Sequence, residues 1–353
     1  MKLERLFKRT KTGATQICDI EVQDDVYTVH FGQLDGKMQS KVTTCKGVNI
    51  GKSNETSGHE QAVAEAKSKW AKKVKAGYST DDEAPTTVEL PQKVKAYLGN
   101  ESKIEFPAYS TDKYNGLNAT YWLEDGRLRL TSRGGDEYPA IPHLEKNIRI
   151  AMAIANTTCL NGELYIHGEH LQDITSAVKK PKELSKKLQF YTFELPLVEG
   201  TYESKIKTLK VIPNALVPTK VGSAEDIETC YNRAMANGFE GTVLYNADAE
   251  YKFNERSSDV YKYKKTIEGE YKVVDYGLDK NGHAVYVCEV DNGTFKVKRK
   301  GTNEERDRDA AQASSNIGKW LTIEYEMLSK SGKPLKPVGL QFRACSDDGT
   351  PLE

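Results

Sequence analysis

The sequence predicts an α+β protein in three parts. These are a small β-rich module with one helix, a larger domain of mixed and antiparallel sheets with helices, and a C-terminal antiparallel barrel. Three observations carry the prediction. Within the first 78 residues, two strand-like runs precede a capped, lysine-rich helical pattern. Residues 79–90 then lose all apolar periodicity, and beyond residue 266 short strands joined by Asn-Gly turns take over.

Composition bounds the answer. At 353 residues the chain exceeds one typical domain, and 38% hydrophobic with 29% charged residues excludes the disordered and membrane classes. No apolar run is long enough to span a bilayer, and Met1-Lys2-Leu3-Glu4-Arg5 has no signal-peptide core. Six scattered cysteines (Cys18, Cys45, Cys159, Cys230, Cys288 and Cys345) form no CxxC pair, which suits reduced thiols and a cytoplasmic location. The net charge is zero, from 51 basic and 51 acidic residues, which by itself argues against a dedicated nucleic-acid binder. The average hides a gradient: over residues 1–80, 12 Lys and 2 Arg face 9 Asp and Glu, an excess of five positive charges.

The first part, residues 1–78, has strand-like runs at 17–22 and 26–31 separated by Gln23-Asp24-Asp25. Ser57-Gly58-His59-Glu60 matches a capping box, and Val63, Ala66, Trp70 and Val74 recur at helical spacing up to a stop at Gly77. Lys67, Lys69, Lys72, Lys73 and Lys75 cover the rest of that helix, as a solvated face or as phosphate contacts. The acidic stretch 79–90 reads as a linker.

The second part, residues 91–267, alternates strands and helices without a regular βαβ beat. Runs at 120–123 and 127–132 flank Glu124-Asp125-Gly126, a hairpin signal. Residues 143–156 and 224–237 read as helices, and 164–166, 190–195, 242–244 and 260–263 as short strands. The third part, 268–353, carries strand runs at 270–276, 284–290, 294–298 and 321–327, with turns at Lys280-Asn281-Gly282 and Asp291-Asn292-Gly293. About 85 residues of this kind point to an OB-fold barrel.

Five short motifs follow in order: Thr111-Asp112-Lys113-Tyr114-Asn115-Gly116, Asn161-Gly162-Glu163-Leu164, Tyr191-Thr192-Phe193-Glu194, Phe239-Glu240-Gly241-Thr242-Val243 and Tyr261-Lys262-Tyr263-Lys264. Singly, each has an ordinary explanation in a turn lysine, a strand-entry glycine, a core phenylalanine or an edge-strand charge. Together they supply an amine nucleophile, two carboxylates able to hold a ribose hydroxyl or hydrated Mg²⁺, an aromatic face and a pair of cations. Their gaps of 50, 30, 47 and 22 residues keep them near strand ends, where side chains can converge on one cleft. Lysine becomes nucleophilic on losing a proton, which neighbouring positive charge such as Lys262 and Lys264 favours.

In this order the motifs resemble those of covalent nucleotidyltransferases, most closely ATP-dependent DNA ligases of bacteriophage type, over about residues 90–345. The resemblance implies that Lys113 takes AMP from ATP, with Thr111 and Asp112 at the nucleotide. It implies a nick-phosphate contact from Arg133, a ribose contact from Glu163 and adenine stacking on Phe193. It further implies metal support by Glu240 and Glu163, phosphate contacts from Lys262 and Lys264, and orientation of pyrophosphate by Arg343. Mg²⁺, or Mn²⁺ in its place, would be the metal, and nicked duplex DNA the partner of a monomeric, membrane-free enzyme. The cation-rich run Lys296-Val297-Lys298-Arg299-Lys300 is expected to contact phosphates.

Two departures bear on this reading. Asn115 and Asn118 stand where the family usually has Asp and Arg. Lys-x-x-Gly-x-Asn also occurs in some RNA ligases, so an RNA ligase is the alternative, with a GTP-using capping enzyme and a catalytically silent nick-binding protein behind it. Residues 1–78 also resemble the WGR domain, a DNA-associated module, with His30-Phe31-Gly32-Gln33 in place of Trp-Gly-Arg.

Overall fold

Alternation of apolar and polar residues builds the N-terminal sheet. In a computed structural model that describes residues 1–10, 13–81, 89–279 and 281–352, β1 (Leu6–Arg9), β2 (Thr15–Gln23), β3 (Val26–Gln33) and β4 (Gln39–Thr44) pair antiparallel in sequence order. Helix α1 (Gly58–Lys75) lays Ala62 and Ala66 against a core that includes Leu6, Cys18, Ile20 and Tyr27. Its capping box is formed as the sequence predicts: Glu60 N–H donates to Ser57 Oγ at 3.2 Å, and Ser57 N–H donates to Glu60 Oε2 at 2.7 Å. The helix lysines divide in two. Lys69 sits over the Tyr27 ring at 5.6 Å and Lys73 over Tyr78 at 4.6 Å, whereas Lys67, Lys72 and Lys75 are exposed.

After β5 (Lys93–Ala96) and β6 (Ala108–Lys113), strands β7 (Leu117–Glu124) and β8 (Arg127–Ser132) form the expected hairpin. Asp125 and Gly126 both have positive φ, 48° and 77°, the conformation of a tight turn that matches strand twist. Next come α2 (Pro142–Ala155), β9 (Cys159–Tyr165), α3 (Leu171–Lys179), β10 (Gln189–Glu194) and α4 (Tyr202–Leu209). They are followed by β11 (Thr219–Val221), α5 (Ala224–Ala236), β12 (Gly241–Asn246) and β13 (Arg256–Tyr263).

The last region contains β14 (Ile267–Leu278), β15 (Ala284–Val290), β16 (Gly293–Arg299), α6 (Asn303–Ala311) and β17 (Trp320–Tyr325). A small hairpin of β18 (Met327–Leu328) and β19 (Pro334–Leu335) precedes β20 (Val338–Arg343). Strands β14-β15-β16-β20-β17 close into a barrel whose β16–β20 contact is parallel, as an OB-fold requires. Val273, Tyr286, Cys288, Leu321 and Ile323 fill it.

Contacts group the chain into two compact units. The first holds residues 1–93, 118–140 and 252–256, and the second holds 94–117, 141–251 and 257–353. In the first, Lys75 at the end of α1 ion-pairs with Asp136 just beyond β8, and Trp122 stacks on Phe253 with centroids 5.7 Å apart. In the second, β6, β12 and β13 are central in a five-stranded sheet of order β11-β6-β12-β13-β5, with α5 packed through Ile227, Cys230 and Tyr231. Residues 82–88 of the predicted linker and Lys280 of the predicted turn lie outside the described residues. Among the described residues no helix is long and apolar enough to cross a membrane.

Candidate active site

The centre of the second unit is built by register. Gly241 at the start of β12 lies opposite Lys113 at the end of β6, and Glu240 N–H donates to the Lys113 carbonyl at 2.9 Å. On the other side of β12, Val243 pairs with Lys262. Gly241 is at φ 147°, and a Cβ there would stand 2.2 Å from the Tyr263 carbonyl oxygen. Only glycine permits this approach, and it places Glu240 between the ends of β6 and β13.

The result is a carboxylate bridging two ammonium groups. Lys113 Nζ donates to Glu240 Oε2 at 2.6 Å, and Lys264 Nζ donates to Glu240 Oε1 at 2.9 Å. Burial alone would raise the Glu240 carboxyl, but Lys113 and Lys264 outweigh it and hold the group below the ordinary carboxylate range. Lys262 completes a cationic cluster, and burial together with the charges of Lys264 and Lys113 pulls its ammonium down. Glu163 sits within β9 and accepts from Gly116 N–H at 3.2 Å, tying the loop after Lys113 to the second motif. A Cβ on Gly116 would meet the Leu164 carbonyl oxygen at 2.3 Å, so this turn too depends on glycine.

Beside the cluster lies a cavity of about 390 Å³ lined by Tyr114, Tyr165, His167, Tyr191, Asn237 and Phe239. Tyr114, next to Lys113, stacks on Phe239 with centroids 4.5 Å apart and planes 3° from parallel, and it meets Tyr191 edge-on at 4.7 Å. Burial, with Tyr191 and Asp112 nearby, pushes its hydroxyl up to about 12. The motifs named Phe193 as the aromatic platform. Phe193 falls at an irregularity in the β9–β10 pairing between Thr192 and Glu194, and the cavity lining carries Tyr191, two residues earlier. The ring cluster had a signal in the sequence: three tyrosines at 114, 165 and 191 each lie within two residues of a motif.

The other named residues are spread more widely. Thr111 is buried, its carbonyl accepting from Thr242 Oγ1 at 2.6 Å. Asp112 pairs with Arg233 at 3.4 Å. Arg343, on the last barrel strand, lies 3.7 Å from Glu270. Arg133 is exposed in the turn after β8 and belongs to the first unit. Within the cation-rich barrel run, Lys298 pairs with Asp279 at 2.6 Å and Arg299 with Asp309 at 2.8 Å, while Lys296 and Lys300 are exposed. Glu194 is a packing residue: it is buried and receives Lys205 Nζ at 3.1 Å.

Comparison with known proteins agrees with this geometry. Residues 90–264 match the family of ATP dependent DNA ligase domains. A DNA ligase of African swine fever virus, Warthog/Namibia isolate, is 26% identical over 357 residues, covering 90% of this chain and 84% of the viral protein. The DNA ligase of the Pig/Kenya isolate is equally similar, at 26% over 358 residues with the same coverage. Among solved structures, a Lig E DNA ligase shares the fold, with a TM-score of 0.59 and 22% identity over 72% of this chain and 100% of that one. The ordered lysine and glutamate motifs, the closed five-stranded barrel and these relatives agree: residues 90–264 form a domain of the ATP-dependent DNA ligase family.

Proposed function

We propose that the protein seals nicks between a 5′-phosphate and a 3′-hydroxyl in duplex DNA through a covalent Lys113–AMP intermediate. One observation carries the reading: Glu240 joins Lys113 to Lys264 in a cluster that also holds Lys262, beside an aromatic cavity. The DNA substrate is carried by the viral relatives, which are named DNA ligase. In this reading residues 91–267 are the nucleotidyltransferase domain, 268–353 the OB-fold domain and 1–78 a duplex-binding module.

Lys113 Nζ, after its ammonium passes a proton to solvent, attacks the α-phosphorus of ATP as the neutral amine. An N–P bond forms, the bond to the bridging oxygen breaks, and pyrophosphate leaves. The AMP then passes to the 5′-phosphate of the nick, and attack by the 3′-hydroxyl releases it. Glu240 positions Nζ by accepting its hydrogen bond, and Lys262 and Lys264 stabilise the charge that builds on the phosphate oxygens. Glu163 holds the ribose, and the base stacks on Phe193 beside the tyrosines of the ring cluster. Arg343 orients the pyrophosphate and Arg133 meets the nick phosphate. Thr111 and Asp112 set the nucleophile strand through their buried and paired positions.

Among the described residues, no group of three or more His, Cys, Asp or Glu side chains could by itself hold a metal. Mg²⁺ suits such a site when one or two carboxylates share it with substrate phosphates and water, and Glu240 and Glu163 are that donor set. Bound there, Mg²⁺ or Mn²⁺ would neutralise charge on the phosphates.

The test is intact-mass measurement before and after incubation with ATP and Mg²⁺, reading the starting mass first so that protein already adenylylated is recognised. The wild type is expected to gain one AMP and Lys113→Ala none. An adduct on Lys113→Ala would defeat the mechanism. Sealing of nicks with a DNA or an RNA 3′-strand separates this activity from that of an RNA ligase.

A further inference from the structure

A second carboxylate enters the cationic cluster from the barrel. Glu326 directly follows β17, and its Oε1 lies 2.5 Å from Lys264 Nζ, while Lys336 donates to its Oε2 at 2.7 Å. Lys264 is therefore held between Glu240 and Glu326. The hairpin that begins at the next residue is pinned at two further points. Asn115 in the nucleophile loop lies 3.2 Å from Met327 Sδ, and Lys330 at the hairpin tip ion-pairs with Asp173 of α3. Burial by itself would raise the Glu326 carboxyl, but Lys264 and Lys336 overcome it, so the group is an anion at neutral pH.

A phosphate arriving at Lys264 meets an anion already in contact with that ammonium. Two negative groups at one cation repel unless one gives way, and a ligand that must displace part of the protein loses affinity in proportion to the population it has to shift. We infer that Glu326 is a resident stand-in for nucleotide phosphate: it neutralises Lys264 between rounds of nucleotide binding, and its displacement couples entry of the triphosphate to release of the hairpin over residues 327–335. The inference rests on the nucleotide reading above and adds to it a positioning residue contributed by the barrel. Three contacts made by one short segment, at Lys264, at the nucleophile loop and at α3, set it apart from an incidental surface pair.

The experiment measures binding of α,β-methylene ATP, which cannot give up AMP, to the full-length wild type, Glu326→Gln and Asp173→Asn by calorimetry. Thermal unfolding of each protein is measured alongside. Glu326→Gln is expected to bind about tenfold more tightly, with KM for ATP falling while the single-turnover rate at saturating ATP changes little. Asp173→Asn, which loosens the hairpin tip away from the cluster, is expected to tighten binding by a smaller factor. Equal or weaker binding by folded Glu326→Gln overturns the inference. Should that variant fail to fold, equal or weaker binding by Asp173→Asn does so instead. A wild type that neither binds the analogue nor gains AMP from ATP defeats the ligase reading and this inference together. A wild type that gains AMP, beside an unimproved Glu326→Gln, defeats this inference alone.

Discussion

Two lysine–glutamate contacts in the second unit are similar in length and opposite in meaning. Lys205 and Glu194 meet at 3.1 Å with side chains only 2% and 7% exposed, one charge against one, and Leu195 N–H adds a bond to the same carboxylate at 2.9 Å. Lys113 and Glu240 meet at 2.6 Å with 22% and 15% exposure, and there Lys264 shares the carboxylate while Lys262 adds a third cation. The first pair is electrically closed and serves packing. The second gathers more positive charge than Glu240 can balance, and barrel-borne Glu326 offsets only part of the excess. Functional charge is thus recognised by imbalance around a pair and not by the pair itself.

Mutation of each pair should separate the two roles. Lys113→Ala is expected to remove adduct formation entirely while leaving the unfolding midpoint close to wild type; a large loss of stability would erase the contrast. Lys205→Ala strands a buried carboxylate and is expected to cost about 3–5 kcal/mol in denaturant unfolding, with adduct formation intact wherever the protein is folded. A cost below about 1 kcal/mol would place this pair with ordinary surface contacts.

Smaller effects sharpen the comparison further. Because burial and like charges depress Lys262, its ammonium costs stability at neutral pH, and that cost fades as pH rises through the folded value toward 10.5. Lys262→Met should therefore raise the unfolding midpoint at pH 7, by an amount that shrinks in alkali, while weakening ATP binding about tenfold. Glu240 behaves in the opposite sense. Its carboxyl is held below the ordinary 4.5, so its contribution is complete above that value and is lost as pH falls through the folded one. Glu240→Gln should flatten the acid limb of stability against pH below about 4.5, and an unchanged limb would mean that the ion pairs carry little weight.

Local signals made much of this legible in the sequence. The capping box at Ser57, the Asp125-Gly126 turn and strand β15 lie where pattern reasoning puts them, because each depends on residues adjacent in the chain. The convergence of Lys113, Glu240 and Lys264 followed from motif order, which encodes strand order. Helices α3, α4 and α6 went unread, since each has only 8 or 9 residues and too few turns to show a period. Edge strands β1 and β4 were missed for a related reason: β4 exposes nearly every side chain, so no apolar alternation marks it. Glu326 reaches its partner across 62 residues, which neither composition nor spacing encodes.

The ion pair between Lys75 and Asp136 has a practical consequence for anyone trimming this protein for expression. A cut at residue 90, where the ligase-domain match begins, looks clean on paper but divides the first compact unit. The truncated chain would keep the β7–β8 ribbon, still bonded to β9, while Asp136 loses its partner in α1, so reduced activity of such a fragment would report a disturbed unit as much as a missing segment.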